Sequence, residues 1–122
     1  MKQRFCLTLD LKDDPQLIAE YKRYHEMIWP EITRSIKDPG IKDSGIEDME
    51  IYLLGTRMFV IMEVNESFSF EAQTKADQLN PRVQGWERLM GTFQKSLLQT
   101  NPDEKRVLME RVFKLVTWIC LP

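Results

Sequence analysis

The chain has 122 residues, of which 43% are hydrophobic and 30% are charged. This length predicts a single domain with a sizeable buried core, and the composition excludes disordered and collagen-like chains. The 17 basic residues are balanced by 19 acidic ones, giving a net charge of −2. Because proteins that bind nucleic acids or anionic membranes carry a basic excess, we expect neither as a partner.

The chain is poor in metal-binding side chains. Cys6 and Cys120 lie near opposite ends, and His25 is its single histidine. A closed zinc site needs more soft ligands than these, and no glycine pattern resembles a phosphate-binding loop, so no metal and no cofactor are expected. No apolar run approaches the about 20 residues that span a bilayer, and the chain begins without a signal-like segment. A cytoplasmic protein with reduced thiols is therefore expected.

The first predicted elements are a strand and a broken helix. Apolar and polar residues alternate over residues 4–11, as in a half-buried strand. Asp14 followed by Pro15 predicts a helix start, since aspartate caps free N–H groups and proline is favoured at the first helical position. Pro30 cannot continue that helix, so a break is expected just after His25, followed by a second helical piece.

A β-hairpin is predicted next. Residues 49–54 and 58–64 have strand character and flank Gly55, which suits a tight turn. The second of these strands is apolar on both faces: one face carries Met58, Val60, Met62 and Val64, and the other carries Phe59 and Ile61. A strand of this kind is covered on both sides.

The rest of the chain completes the pattern. Residues 70–79 have helical spacing, which resumes after Asn80 and Pro81 and is predicted to continue to Leu97. Residues 107–115 form the last predicted strand.

The resulting order β-α-β-β-α-β predicts an α+β fold, a ferredoxin-like sandwich of the dimeric α/β-barrel type. One domain is expected over residues 1–115, with residues 116–122 as a tail of unassigned role. Such a fold covers only one face of its sheet. Because the other face is also apolar here, we expect a homodimer that packs sheet towards sheet, or else a deep ligand pocket on that face.

His25 is the first candidate for chemistry, because imidazole is the side chain that exchanges protons near neutral pH without special tuning. A lone histidine on a helix is also a common surface or capping residue. Tyr21 lies four residues earlier and therefore projects from the same helical face, and the break before Pro30 follows directly. These neighbours favour a site at this point of the chain.

Two further residues have open interpretations. Trp86 has the spacing of a core residue, and it also offers a flat apolar face and one N–H donor to a sugar. Glu63 interrupts an apolar strand, so it is either paired, turned into a pocket, or at an edge. Trp29, next to Pro30, is interpreted as structural.

The residues around His25 resemble the signature of a known family. The string Tyr-x-x-x-His-x-x-Ile-Trp-Pro-Glu, present here at residues 21–31, is typical of the L-rhamnose mutarotase family. Further matches follow in order, and the resemblance extends over residues 4–115. They lie at residues 51–53, 59–64, 86–90, 101–103 and 112–113.

The resemblance implies a cofactor-independent, homodimeric isomerase that interconverts the α and β anomers of a 6-deoxy-hexose. It assigns proton donation to His25 and sugar binding to Tyr21 and Trp86. The sequence departs from the family at Met49 and Glu87, where the family has aromatic residues. Both changes affect expected pocket walls, so the sugar is left open between L-rhamnose, the default, and L-fucose.

Two other functions are considered, and the first of them shares the expected fold. Dimeric α/β-barrel monooxygenases, including haem-degrading ones, can use a histidine to ligate haem. A sugar-sensing module would dimerise and bind a monosaccharide without turnover. The string around Tyr21, His25 and Trp29 favours the mutarotase over both.

Overall fold

The computed structural model describes residues 3–36, 45–95 and 106–115. Its strands are β1 (Gln3–Leu11), β2 (Ile46–Leu54), β3 (Arg57–Val64), β4 (Gln94–Lys95) and β5 (Val107–Leu108). Its helices are α1 (Pro15–Glu26), α2 (Pro30–Ile36), α3 (Phe70–Gln78) and α4 (Pro81–Gly91). None of the helices in these ranges is both long enough and apolar enough to cross a membrane.

The predicted start and break of the first helix are confirmed. The Asp14 carboxylate accepts hydrogen bonds from the backbone N–H groups of Gln16 and Leu17, and Pro15 takes the first helical position. α1 ends at Glu26, and Pro30 begins α2. The first helix therefore ends one residue after His25.

All strand pairs in the sheet are antiparallel, in the order β2-β3-β1-β4, with β5 also paired to β1. β2 and β3 form the predicted hairpin, whose turn contains Gly55 at a φ of 61°, a conformation that favours glycine. This is the strand order of a ferredoxin-like sheet in which β4 and β5 share the place of the fourth strand.

Two predicted elements are wrong in extent. The second helical region ends at Gly91 rather than continuing towards Leu97, because Gln94 and Lys95 pair with Leu11 and Asp10 of β1. The last strand is limited to two residues, and residues 109–115 follow it without regular structure. Pairing across the sheet thus overrides the local pattern after Gly91, and the last strand is short because, of residues 107–115, only Val107 and Leu108 pair with β1. Leu97 itself and the tail at residues 116–122 lie outside the described residues, and the predicted domain boundary stays a prediction.

The core lies between the helices and one face of the sheet, here called the inner face. Val60 and Val64 of β3 are each 1% exposed, and Leu9 of β1 is fully buried. Phe59 and Ile61 project to the opposite, outer face and are half-buried. The two-faced apolar character predicted for β3 is therefore confirmed.

Candidate active site

α1 carries Tyr21 and His25 one turn apart. Their rings lie 4.4 Å apart between centroids at an interplanar angle of 41°. Tyr21 is buried, and His25 is half-buried. The four-residue spacing thus brings a phenol and an imidazole into contact, as the sequence predicted.

The orientation of the His25 ring is set by the helix itself. Its Nδ1 lies 2.8 Å from the backbone carbonyl oxygen of Tyr21. Because a carbonyl oxygen only accepts hydrogen bonds, Nδ1 is the donor and carries hydrogen. In the neutral ring Nε2 then holds the lone pair, and it is the ring nitrogen that the helix does not engage in this contact.

Tyr21 is held as a neutral phenol. Its hydroxyl donates to Sδ of Met58 at 2.9 Å. Burial raises the pKa of Tyr21 above its ordinary value, outweighing the hydrogen bond with Gln94 and the charge of Arg106, which lower it. At neutral pH Tyr21 is therefore a hydrogen-bonding group and not a base.

Trp86 lies behind His25. It is 8% exposed, and its ring is 5.8 Å from the imidazole at 70°, an edge-to-face contact. Trp29 and Tyr24 contact the same indole edge-to-face, at 5.2 Å and 6.3 Å. The structure thus brings the three residues named from the sequence, Tyr21, His25 and Trp86, into one aromatic cluster, in which Trp86 backs the imidazole.

A cavity of about 320 Å³ opens beside Tyr21 and His25, a size within the range of small-molecule sites, about 300–1,000 Å³. It lies between α1 and the inner face of the hairpin. Its lining comprises Tyr21, Lys22, His25, Glu26, Ile51, Leu53 and Met58. The helix supplies a polar, titratable wall, and the strands supply an apolar one.

A second cavity of about 360 Å³ involves another side of α1, with Glu20, Arg23, Tyr24, Met27 and Trp29 in its lining. Met27 is 83% exposed there. Because His25 lines the first cavity together with the Glu26 carboxylate and the Lys22 ammonium group, we take that cavity as the candidate active site.

Five of the seven residues that line the cavity were not site candidates in the sequence: Lys22, Glu26, Ile51, Leu53 and Met58. Lys22 and Glu26 follow Tyr21 and His25 by one position each, so helical periodicity alone indicated that they share this side of α1. Ile51 and Leu53 are separated by two positions on β2 and therefore share a face. No local pattern indicated that this face of β2 meets α1.

The structure settles the environment of Glu63. β3 turns its side chain to the outer face, where Glu63 binds Arg4 of β1 at 2.7 Å. Glu63 is therefore paired and lies across the sheet from His25.

The two positions that depart from the family pattern lie apart from each other. Met49 is half-buried on the inner face of β2, in register with Met62. Glu87, on α4, forms an ion pair with Arg106 at 3.9 Å.

Comparison with known proteins shows the family of the chain. A family model described as L-rhamnose mutarotase matches residues 4–115. An L-fucose mutarotase of Xanthomonas campestris pv. campestris is 40% identical over 115 residues, which cover 93% of this chain and 88% of that protein. An L-rhamnose mutarotase of Enterococcus faecalis is 30% identical over 118 residues, covering 94% of this chain and 99% of that one.

A solved structure gives the same fold. The crystal structure of an L-rhamnose mutarotase from Formosa agariphila has a TM-score of 0.65 at 21% identity and covers 93% of this chain and 99% of that chain. The predicted α+β fold is confirmed by this likeness. The family model extends over nearly the whole chain, so the protein belongs to the L-rhamnose mutarotase family, a family of isomerases.

Proposed function

We propose that the protein interconverts the α and β anomers of a 6-deoxy-L-hexose pyranose in the cavity beside α1. The observation that carries the proposal is the hydrogen bond between Nδ1 of His25 and the Tyr21 carbonyl oxygen, which reserves Nε2 for proton exchange. The names of the relatives supply the substrate class. The 40% identity to an L-fucose mutarotase favours L-fucose, and L-rhamnose is the second sugar to test.

Mutarotation needs two proton transfers at neighbouring oxygens. The imidazolium of His25 gives its Nε2 proton to the ring oxygen O5 as the C1–O5 bond breaks, and the anomeric hydroxyl loses its proton as the C1=O1 bond forms. Rotation about C1–C2 then presents the other face of the aldehyde. Ring closure returns the first proton to His25 and the second to O1, so the protein ends in its starting state.

We further propose that the Glu26 carboxylate accepts the proton from O1. Glu26 is the carboxylate in the cavity lining, and it follows His25 directly in α1. Glu63 is directed to the outer face and bound to Arg4, which argues against it as this partner. Tyr21 is a buried neutral phenol whose hydroxyl hydrogen is donated to Met58, so its oxygen can accept a hydrogen bond from a sugar hydroxyl.

A homodimer is proposed on the evidence of uncovered apolar surface. Phe59 and Ile61 lie on the outer face of the sheet, and in the segment after β5 the exposed fractions of Val112 and Phe113 are 87% and 74%. Such surface is normally covered by a partner. Light scattering at micromolar concentration is expected to give twice the chain mass, and a monomer would contradict the proposal.

The cytoplasmic location expected from the sequence stays a prediction.

The activity is tested by saturation-transfer NMR. The H1 resonance of one anomer is irradiated, and transfer to the other anomer is measured for L-fucose, L-rhamnose and D-hexoses with and without protein. We expect accelerated exchange for a 6-deoxy-L-hexose. Exchange at the uncatalysed rate with every pyranose would refute the mutarotase proposal.

A further inference from the structure

We propose that Ile51 and Leu53 form the surface on which the C6 methyl group of the sugar packs, so that these two residues determine the preference for 6-deoxy sugars. This inference rests on the proposed function and extends it. It starts from the contrast between the polar wall of the cavity on α1 and its apolar wall on β2.

The burial of the inner face changes sharply across the sheet. Val60 of β3 is 1% exposed, whereas Ile51, its partner in register on β2, is 41% exposed. The next row repeats the trend, since Met58 is 2% exposed and its partner Leu53 is half-buried. The helices thus cover β3 more fully than β2, and the cavity lies where this cover is incomplete.

Three apolar residues line the cavity, and two of them are available to a ligand. Met58 is buried, and its sulfur already accepts the hydrogen bond from Tyr21. Ile51 and Leu53 retain accessible surface facing the cavity. Burying that surface against a methyl group is favourable.

The position of C6 in the sugar fits this arrangement. C6 is attached to C5, and C5 is bonded to O5, the atom that receives the proton from His25. A sugar with O5 at α1 therefore carries its C6 substituent inside the same cavity. On β2 the polar Glu50 and Tyr52 alternate to the outer face, where the Tyr52 hydroxyl donates to Glu50 at 2.6 Å. A C6 hydroxyl directed at β2 would therefore meet only apolar side chains.

The expected discrimination is moderate. Apolar pockets reject an added hydroxyl by about 10²-fold at most. Because Ile51 is 41% exposed, water can still reach a hydroxyl placed there, and we expect a preference of about tenfold.

The test compares sugars that differ only at C6: L-fucose with L-galactose, and L-rhamnose with L-mannose. The exchange efficiency, kcat/KM, is measured by NMR for each member of a pair. For each pair whose sugars the wild-type protein interconverts, we expect kcat/KM to be higher for the 6-deoxy sugar than for its C6-hydroxylated counterpart. Ile51→Thr keeps a β-branched side chain but adds a hydroxyl, and it should lower this preference several-fold.

Two control variants isolate the effect. Ile51→Val keeps the wall apolar and should retain the wild-type ratio. Leu54→Thr makes a polar change on the same strand at a residue that is 77% exposed and outside the cavity lining, and it should also retain the ratio. If Ile51→Thr fails to fold, Leu53→Thr is measured in the same way.

The outcomes separate this inference from the proposed function. Exchange of the sugars with equal efficiency within each pair, or an unchanged ratio in Ile51→Thr, would overturn the methyl-binding surface and leave the mutarotase proposal standing. Absence of exchange with all four sugars would overturn both.

Discussion

The imidazole Nδ1 of His25 lies 2.8 Å from the backbone carbonyl oxygen of Tyr21, one helical turn earlier. The contact is made within α1, so the helix that brings the two side chains together also orients the histidine ring. At the same time the Tyr21 hydroxyl reaches Met58 of β3. The backbone carbonyl of Tyr21 therefore positions the imidazole of His25, and the Tyr21 hydroxyl links α1 to the sheet.

His25→Asn is expected to lower the anomer exchange rate about 10²–10⁴-fold, the usual contribution of a general acid–base group. Asparagine is similar in size and forms hydrogen bonds, but it cannot take and return a proton, so sugar binding should persist. Tyr21→Phe removes a hydroxyl and leaves the proton carrier, so its loss should be smaller. Wild-type exchange in His25→Asn would show that His25 is a structural residue.

Glu26→Gln tests the proposed second proton carrier. The amide cannot accept the O1 proton, so we expect kcat to fall by about 10²-fold with little change in KM. Glu63→Gln provides the matched control, because it makes the same chemical change on the outer face of the sheet and should leave exchange near the wild-type rate. If Glu26→Gln exchanges sugar as fast as the wild type, water takes the proton instead.

Trp86→Ala is expected to lower the free energy of unfolding by about 3–5 kcal/mol, because it empties a buried position among Tyr24, His25 and Trp29. Sugar binding should weaken as well, because Trp86, which lies outside the cavity lining, packs against the imidazole of His25 and supports it. Chemical denaturation and NMR titration measure the two effects separately. Unchanged sugar affinity with a lowered Tm would assign Trp86 to the core alone.

Tyr21 makes stability depend on pH in the alkaline range. Its pKa is raised in the folded state, chiefly by burial, so the fold favours the protonated phenol. The stability linked to this group is present below its ordinary pKa of about 10 and is lost as the pH rises through the folded-state pKa. Urea unfolding at pH 8 and pH 11 should therefore show a steeper loss of stability in the wild type than in Tyr21→Phe. Parallel losses in the two proteins would contradict this assignment.

The local sequence determined those parts of the site that lie on one element. Helical periodicity of about 3.6 residues places Tyr21 and His25 together wherever α1 packs, and Asp14 and Pro30 mark its start and the break after it. Strand alternation likewise separates Met58 from Phe59 on β3, whatever covers each face. These features follow from backbone geometry and nearby side chains, so they can be predicted from a short stretch of chain.

Relations between distant segments were decided only by the tertiary structure. Strand alternation puts Glu63 on the face of β3 opposite to Val64. Which of the two faces becomes the inner one depends on where the helices pack, and in this fold Glu63 lies on the outer face, paired with Arg4. In the sequence, Ile51 is indistinguishable from other apolar strand residues. Its 41% exposure in the structure arises because the helices cover β2 less completely than β3. α4 ends before Leu97 because β1 offers free hydrogen-bonding groups to Gln94 and Lys95. Each of these outcomes depends on which distant surfaces meet, and the free energy of those contacts outweighs local preference.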